Sequence, residues 1–309
     1  MDHTPLESRP QQEPACADRD AAAAARLTTL GVLLDDPSPT VWRGVRRQLE
    51  ALGGAARPAL RAAARGPSAR ARARARLLLL HEARHKVARR LARYLTRSTL
   101  DLERGLLLLS RFEDPRLDLR PTLAALDALG AEVAGRVEDL PPGLERGLEL
   151  ARYLGSEVGL DGDREDYHHP DNVFLHRAVQ RGRGLPLTLT AVYLLVARRA
   201  GVSAAAVPLP GHVLLRLHGT GRHVLVDPFR AGARVGERDC LAYLARRGLP
   251  FRPQWFADAT DDALLERQVR NLRSSFLQRG LGREVGQLEL VLGAFERRIT
   301  KASAAGDRT

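Results

Sequence analysis

Cysteine is scarce in this chain of 309 residues: only Cys16 and Cys240 occur. Two thiols are too few for a disulfide framework, so a reducing compartment is expected. Long apolar runs are missing as well. Apolar runs such as Leu77–Leu80 fall far short of the roughly 20 apolar residues that a membrane span needs, and no membrane partner is expected. The opening MDHTPLESRPQQEPACADRD lacks the basic start and apolar stretch of a secretory signal. The expectation is a cytoplasmic protein with residues 1–25 as a disordered tail.

Lysine is also nearly absent. Of the 49 basic residues all but Lys86 and Lys301 are arginine, and the formal net charge is +12. Such a charge fits a nucleic-acid partner, because clustered arginine displaces counterions from phosphate. The skew toward Arg, Ala, Gly and Leu, however, points to an encoding bias as much as to a partner. The sharpest basic stretch, Arg65 to Arg93, has the spacing of one solvated helical face.

What is present is a globular composition, 44% hydrophobic, in a chain long enough for two or three domains. Leu27–Leu80 has a helical rhythm in which two segments open on Pro37-Ser38 and Pro67-Ser68, with a Gly-Gly turn and Pro58 between them. This pairing resembles HEAT-type helical repeats over residues 26–98. From Val173 the character changes. LTLTAVYLLVA is apolar nearly all round, which predicts a buried helix near Leu187–Ala200, followed by strand-like runs VSAAAV, HVLLRL and HVLVD. Beyond Cys240 helices return. The pair separated by Gly280 resembles a tetratricopeptide-like hairpin over 256–300, leaving 301–309 as a tail.

Three segments stand in a telling order: DNVFLHRAVQRGRGLPLTLTAVYLLVARRAGV from Asp171, PGHVLLRL from Pro210, and VDPF from Val226. Together with LLLLSRFEDPRLDL upstream and VGERDC downstream, they resemble the SirB-type branch of the transglutaminase-like superfamily over residues 99–255. The resemblance implies an α+β, predominantly helical fold with a papain-like core, its central helix packed on a small antiparallel sheet. It also implies a cysteine at the start of that helix, a histidine opening the next strand and an aspartate closing the following one. The chemistry accounts for the layout: a helix N-terminus stabilises a thiolate, the imidazole takes the thiol proton, and the carboxylate fixes the imidazole. His212 and Asp227 match the histidine and the aspartate.

The nucleophile does not match. Counting back from Gly201 places the expected cysteine near Pro186, and no cysteine lies between Cys16 and Cys240. Two substitutes come into view. Thr188 and Thr190 lie within the helix's first turns, where hydrogen bonding inside the helix is the plainer role of a threonine. Cys240 stands at an apparent helix start, where a buried structural thiol is the plainer role. His212 and Asp227 form a stable pair even without a nucleophile. Asn172, Gly184 and Gly211 are read as shaping the pocket with Pro186, Gly211 by letting the backbone approach His212 and Asn172 by capping its loop.

HEARH, His81 to His85, matches H-E-x-x-H letter for letter, with Glu82 in the place of a water-activating base. Arg84 and Lys86 put cations beside any metal there, so a solvent-facing helix is expected. His168-His169 is read as a polar loop. No metal or cofactor is expected. The leading functional expectation is a noncatalytic module binding a protein or peptide. The alternatives are a hydrolase or acyltransferase using Thr188 or Cys240 with His212 and Asp227, and a nucleic-acid-binding accessory protein using the helices near Arg70–Arg93.

Overall fold

The computed structural model describes residues 16–306. Residues 1–15 of the expected N-terminal tail and 307–309 of the C-terminal one lie outside it. Helix α1 (Cys16–Leu33) begins within the stretch read as tail, on an alanine-rich segment with the highest helix propensity. The chain divides into two units, Met1–Ala83 and Arg84–Thr309. The division falls inside one helix.

In the first unit, α1 is followed by α2 (Pro39–Leu52), α3 (Arg57–Ala63) and the opening of α4 (Ala69–Tyr94). Both Pro-Ser pairs start helices. Ser38 Oγ accepts from Val41 N and Ser68 Oγ from Ala71 N, each satisfying an amide that the first turn leaves without a partner. Leu30, Leu34, Val45, Leu49, Leu60 and Leu78 form this unit's own core.

The second unit continues with α5 (Leu102–Glu113), capped by Asp101, then α6 (Arg120–Val137) and α7 (Leu144–Arg152). The last runs on into a π-helical turn, Tyr153–Glu157, closed by Val158 N bonding to Tyr153 O. Two short parallel strands, β1 (Asp161–Gly162) and β2 (Arg183–Gly184), flank α8 (Leu175–Arg181). The predicted buried helix is α9 (Pro186–Arg199). It is buried from Pro186 to Ala197, as a segment apolar on every face must be.

The sheet is antiparallel and four-stranded, in the order β3 (Ala204–Val207), β4 (Leu214–Gly219), β5 (Arg222–Asp227), β6 (Ala233–Val235). Its register pairs Leu215 with Val226 and Arg216 with Leu225. Side-chain alternation splits it between two cores: Ala206, Leu215, Leu217 and Val226 join the main core with α9, while Val207, Leu214 and Leu225 join Cys240 on the other face. Helix α10 (Glu237–Arg246) supplies that second cover. Helices α11 (Asp261–Gln278) and α12 (Gly282–Gly306) turn at Gly280, and their apolar faces, including Leu265, Leu272, Leu288 and Phe295, join the main core. The result is the α+β, mostly helical architecture with a central helix on a small sheet. No helix among the described residues is long and apolar enough to cross a membrane.

Candidate functional site

The start of α9 is built by the sequence RGRGLP. Gly182 closes α8 in the left-handed conformation, and Gly184 sits so close that an added Cβ would lie 3.3 Å from Ala178 Cβ and 3.4 Å from Asn172 O. That carbonyl then receives two hydrogen bonds, from Leu185 N at 2.9 Å and from Thr188 Oγ1 at 2.7 Å. Asn172 is fully buried; its amide donates to Asp166 O at 2.7 Å and its Oδ1 accepts from Arg181 at 3.0 Å. It ties together the loop before α8. Pro186 occupies the first helical position, where a missing N–H leaves nothing unsatisfied.

Thr188 is spoken for on both sides. Its hydroxyl proton goes to Asn172 O, and its oxygen accepts from Gln268 Nε2 at 2.8 Å. A hydroxyl fixed this way, and fully buried, is a tie between α9 and α11. Thr188→Val removes it without changing shape and should lower stability by about 1.5 kcal/mol. A lower urea midpoint at unchanged m would show this. Thr190 bonds to Val213 O at 3.3 Å, which sets α9 directly against the residue after His212.

His212 Nε2 lies 3.0 Å from Asp227 Oδ1. Asp227 is buried and ends β5, and its Oδ1 also accepts from Phe229 N at 3.0 Å. The imidazole stands edge-on to the Phe229 ring at 6.0 Å and tilted against Tyr243 at 5.8 Å. With the Nε2 edge held by the carboxylate, Nδ1 is the nitrogen left to face another group. The backbone of this turn is clamped from α11: Arg267 donates to Leu209 O at 2.8 Å and to His212 O at 2.9 Å. Burial pulls the Arg267 pKa down, so this guanidinium is held in place at a cost.

Gly211 lies under α10. Its φ of +73° places it in the left-handed region, and an added Cβ would lie 2.8 Å from the Arg247 guanidinium and 3.2 Å from the Tyr243 hydroxyl. Packing of α10 over the turn therefore leaves no room for a side chain here. The loop after Asp227 makes a similar demand elsewhere. Ala231, with φ of 50°, is the one non-glycine residue in the left-handed region among the described residues. Its carbonyl oxygen would lie 1.9 Å from a Cβ at Gly155, in the π-helical turn.

A cavity of about 300 Å³ opens beside the pair, lined by Leu209, Leu214, Phe229, Cys240 and Tyr243 with His212 and Asp227, and rimmed by arginines. Pro186 and Thr188 do not line it. Cys240, the other candidate nucleophile, does. Its thiol is buried; burial first, then the charges of Asp239, Asp227 and Glu237, push its pKa up and keep it protonated.

The remaining sequence candidates lie elsewhere. HEARH is on α4, with Glu82 bound to Arg57 at 2.6 Å and His85 exposed. His169 Nδ1 accepts from Asp171 N at 3.1 Å, capping a short 3-10 turn. Among the described residues, no three His, Cys, Asp or Glu side chains come together as a metal site. Sequence reasoning missed a second histidine–carboxylate pair, His176 Nε2 to Glu113 Oε2 at 2.8 Å, together with Gln268, Arg267 and Tyr243. Their partners lie tens of residues away, and no local period marks them.

Residues 120–270 match the sequence profile of the transglutaminase-like superfamily. The chain is 28% identical over 191 residues to a UPF0162 protein of Xylella fastidiosa, covering 58% of this chain and 66% of that one. It is 31% identical over 154 residues to a UPF0162 protein of Pseudomonas aeruginosa, covering 49% and 56% respectively. With F-box only protein 21 of Homo sapiens the figures are 27% over 143 residues, 43% of this chain and 22% of that one. The chain therefore spans less than two thirds of the length of each of these relatives. No solved structure matches it.

Proposed function

From the premise that the chain carries a transglutaminase-like domain, we propose that this domain is noncatalytic and that the cavity beside His212 and Asp227 binds a segment of a protein or peptide partner. One observation carries the reading: the helix start that should present a nucleophile presents a buried proline, and the nearest hydroxyl, on Thr188, is already bonded as donor and as acceptor. His212 and Asp227 are then architecture. They hold one wall of a small, mainly apolar cavity whose volume suits one bulky side chain. Arg230 and Arg246 at its rim favour a segment in which that side chain is flanked by carboxylates. The match to a 22% portion of F-box only protein 21 fits a domain used as one module among others. Within the superfamily, the motif around Pro186 supports the SirB-type branch, flanked by HEAT-like and tetratricopeptide-like helices, and the scarcity of cysteine fits a cytoplasmic protein.

The enzymatic reading has one observation in its favour, the presence of Cys240 in the His212 cavity. A thiol whose pKa is raised by burial and by neighbouring carboxylates is the opposite of an activated one. The two readings separate by covalent labelling. Wild-type protein treated with iodoacetamide and with an activated ester should show no adduct that depends on His212, whereas Pro186→Cys should alkylate at least about tenfold faster than the same variant carrying His212→Ala. An adduct on Thr188 or Cys240 of the wild-type protein, abolished by His212→Ala, would sink the noncatalytic reading.

A further inference from the structure

A second cavity, of about 520 Å³, shares no residue with the first. It lies within the Arg84–Thr309 unit, between the end of α4, α5 and the start of α6. Five arginines face it: Arg90 and Arg93, one turn apart on α4; Arg97 in the following turn; and Arg104 and Arg111, two turns apart on one face of α5. Leu107, Leu108, Leu119 and Leu123 also line it.

Several other arginines of this unit are engaged by carboxylates, such as Arg136 by Glu157 and Arg177 by Glu113. Among the described residues, these five have no ion-pair partner. The acids beside them are already occupied: Asp101 Oδ1 accepts from Arg104 N at 2.7 Å to cap α5, Glu103 binds Arg199 at 2.6 Å, and Asp118, which also feels the charge of Arg111, binds Arg120 at 2.7 Å. Arg97 and Arg104 both lie over the Tyr94 ring, at 5.7 and 5.5 Å, and Tyr94 is pinned by its hydroxyl to Asp101 O at 2.9 Å. Arg111 Nε is buried with no acceptor. A buried donor in that state marks the place of an absent acceptor.

Converging like charges repel, and they are stabilised by an anion that meets several guanidinium forks together. We propose that this cavity binds a compact ligand carrying several clustered phosphate groups, with its uncharged part on the leucines. The volume is that of a small-molecule site, and the guanidinium groups surround a concavity rather than following a track, which favours a small polyphosphate over a nucleic-acid strand.

The test uses the full chain and inorganic tripolyphosphate, titrated calorimetrically at about 0.15 M salt. One saturable site is expected, weakened at least about tenfold by Arg97→Glu with Arg104→Glu and separately by Arg111→Met. Arg222→Glu with Arg238→Glu, the same change of net charge at exposed positions, should leave affinity within about twofold. Unliganded Arg97→Glu/Arg104→Glu protein should melt no lower than wild type, because repulsion is relieved. The proposal is overturned by absence of saturable binding, by equal weakening in the control variant, or by single-stranded RNA binding that tightens with length beyond tripolyphosphate. The last result would establish a nucleic-acid surface instead.

Discussion

Gly155→Ala should destabilise the Arg84–Thr309 unit by about 3 kcal/mol, lowering its melting temperature by roughly 6–12 °C. The added methyl would start 1.9 Å from the Ala231 carbonyl oxygen and 2.4 Å from its carbon, and backbone on both sides has no rotamer with which to move away. The π-helical turn at Tyr153–Glu157 and the left-handed Ala231 are two halves of one fit. The turn opens room, and the loop leaving Asp227 fills it. Displacement of that loop pulls on Asp227, four residues back, so the His212–Asp227 hydrogen bond should loosen along with the fold. Gly135→Ala is the comparison. It lies in α6 with nothing within 4 Å of its added Cβ, and should stabilise by about 0.5–1 kcal/mol through helix propensity alone. Equal melting temperatures for the two variants would contradict the close approach at Gly155.

Glu113→Ala should cost about 3 kcal/mol at neutral pH. Burial acts to raise the Glu113 pKa, but hydrogen bonds and charge from His176 and Arg177 outweigh it and bring the carboxyl down to about 2 from its usual 4.5. A carboxylate more acidic folded than unfolded stabilises the protein above its unfolded pKa, and that contribution fades as pH falls toward the folded value. The loss should therefore appear between pH 4.5 and about 2, amounting to roughly 2–3 kcal/mol for a partly exposed group. Glu113→Gln keeps the shape and should flatten the acid limb of the stability curve over that interval. An unchanged limb would mean that the 2.8 Å contact with His176 carries no stabilisation.

What was legible in the sequence follows from short-range physics. Helical periodicity and an all-apolar face located α9 to within a residue at Pro186; alternation located β3, β4 and β5; and Ser38 and Ser68 marked helix starts because a cap acts only three residues ahead. Strand β6 was invisible, since ARV has no alternation long enough to register. The boundary inside α4 was equally hidden, because a continuous helix carries no sign of which core each turn serves.

The sequence by itself determined that no thiol stands where the central helix begins and that a histidine precedes one strand while an aspartate ends the next. Only the tertiary structure decided the rest. It spent the Thr188 hydroxyl on Asn172 and Gln268, brought Cys240 from α10 into the His212 cavity, and left five arginines around a concavity with their nearby acids engaged. The reason is distance along the chain. A cap or a helical face is set by residues within a turn of each other, whereas the partner of a buried polar group is chosen by packing between elements tens of residues apart.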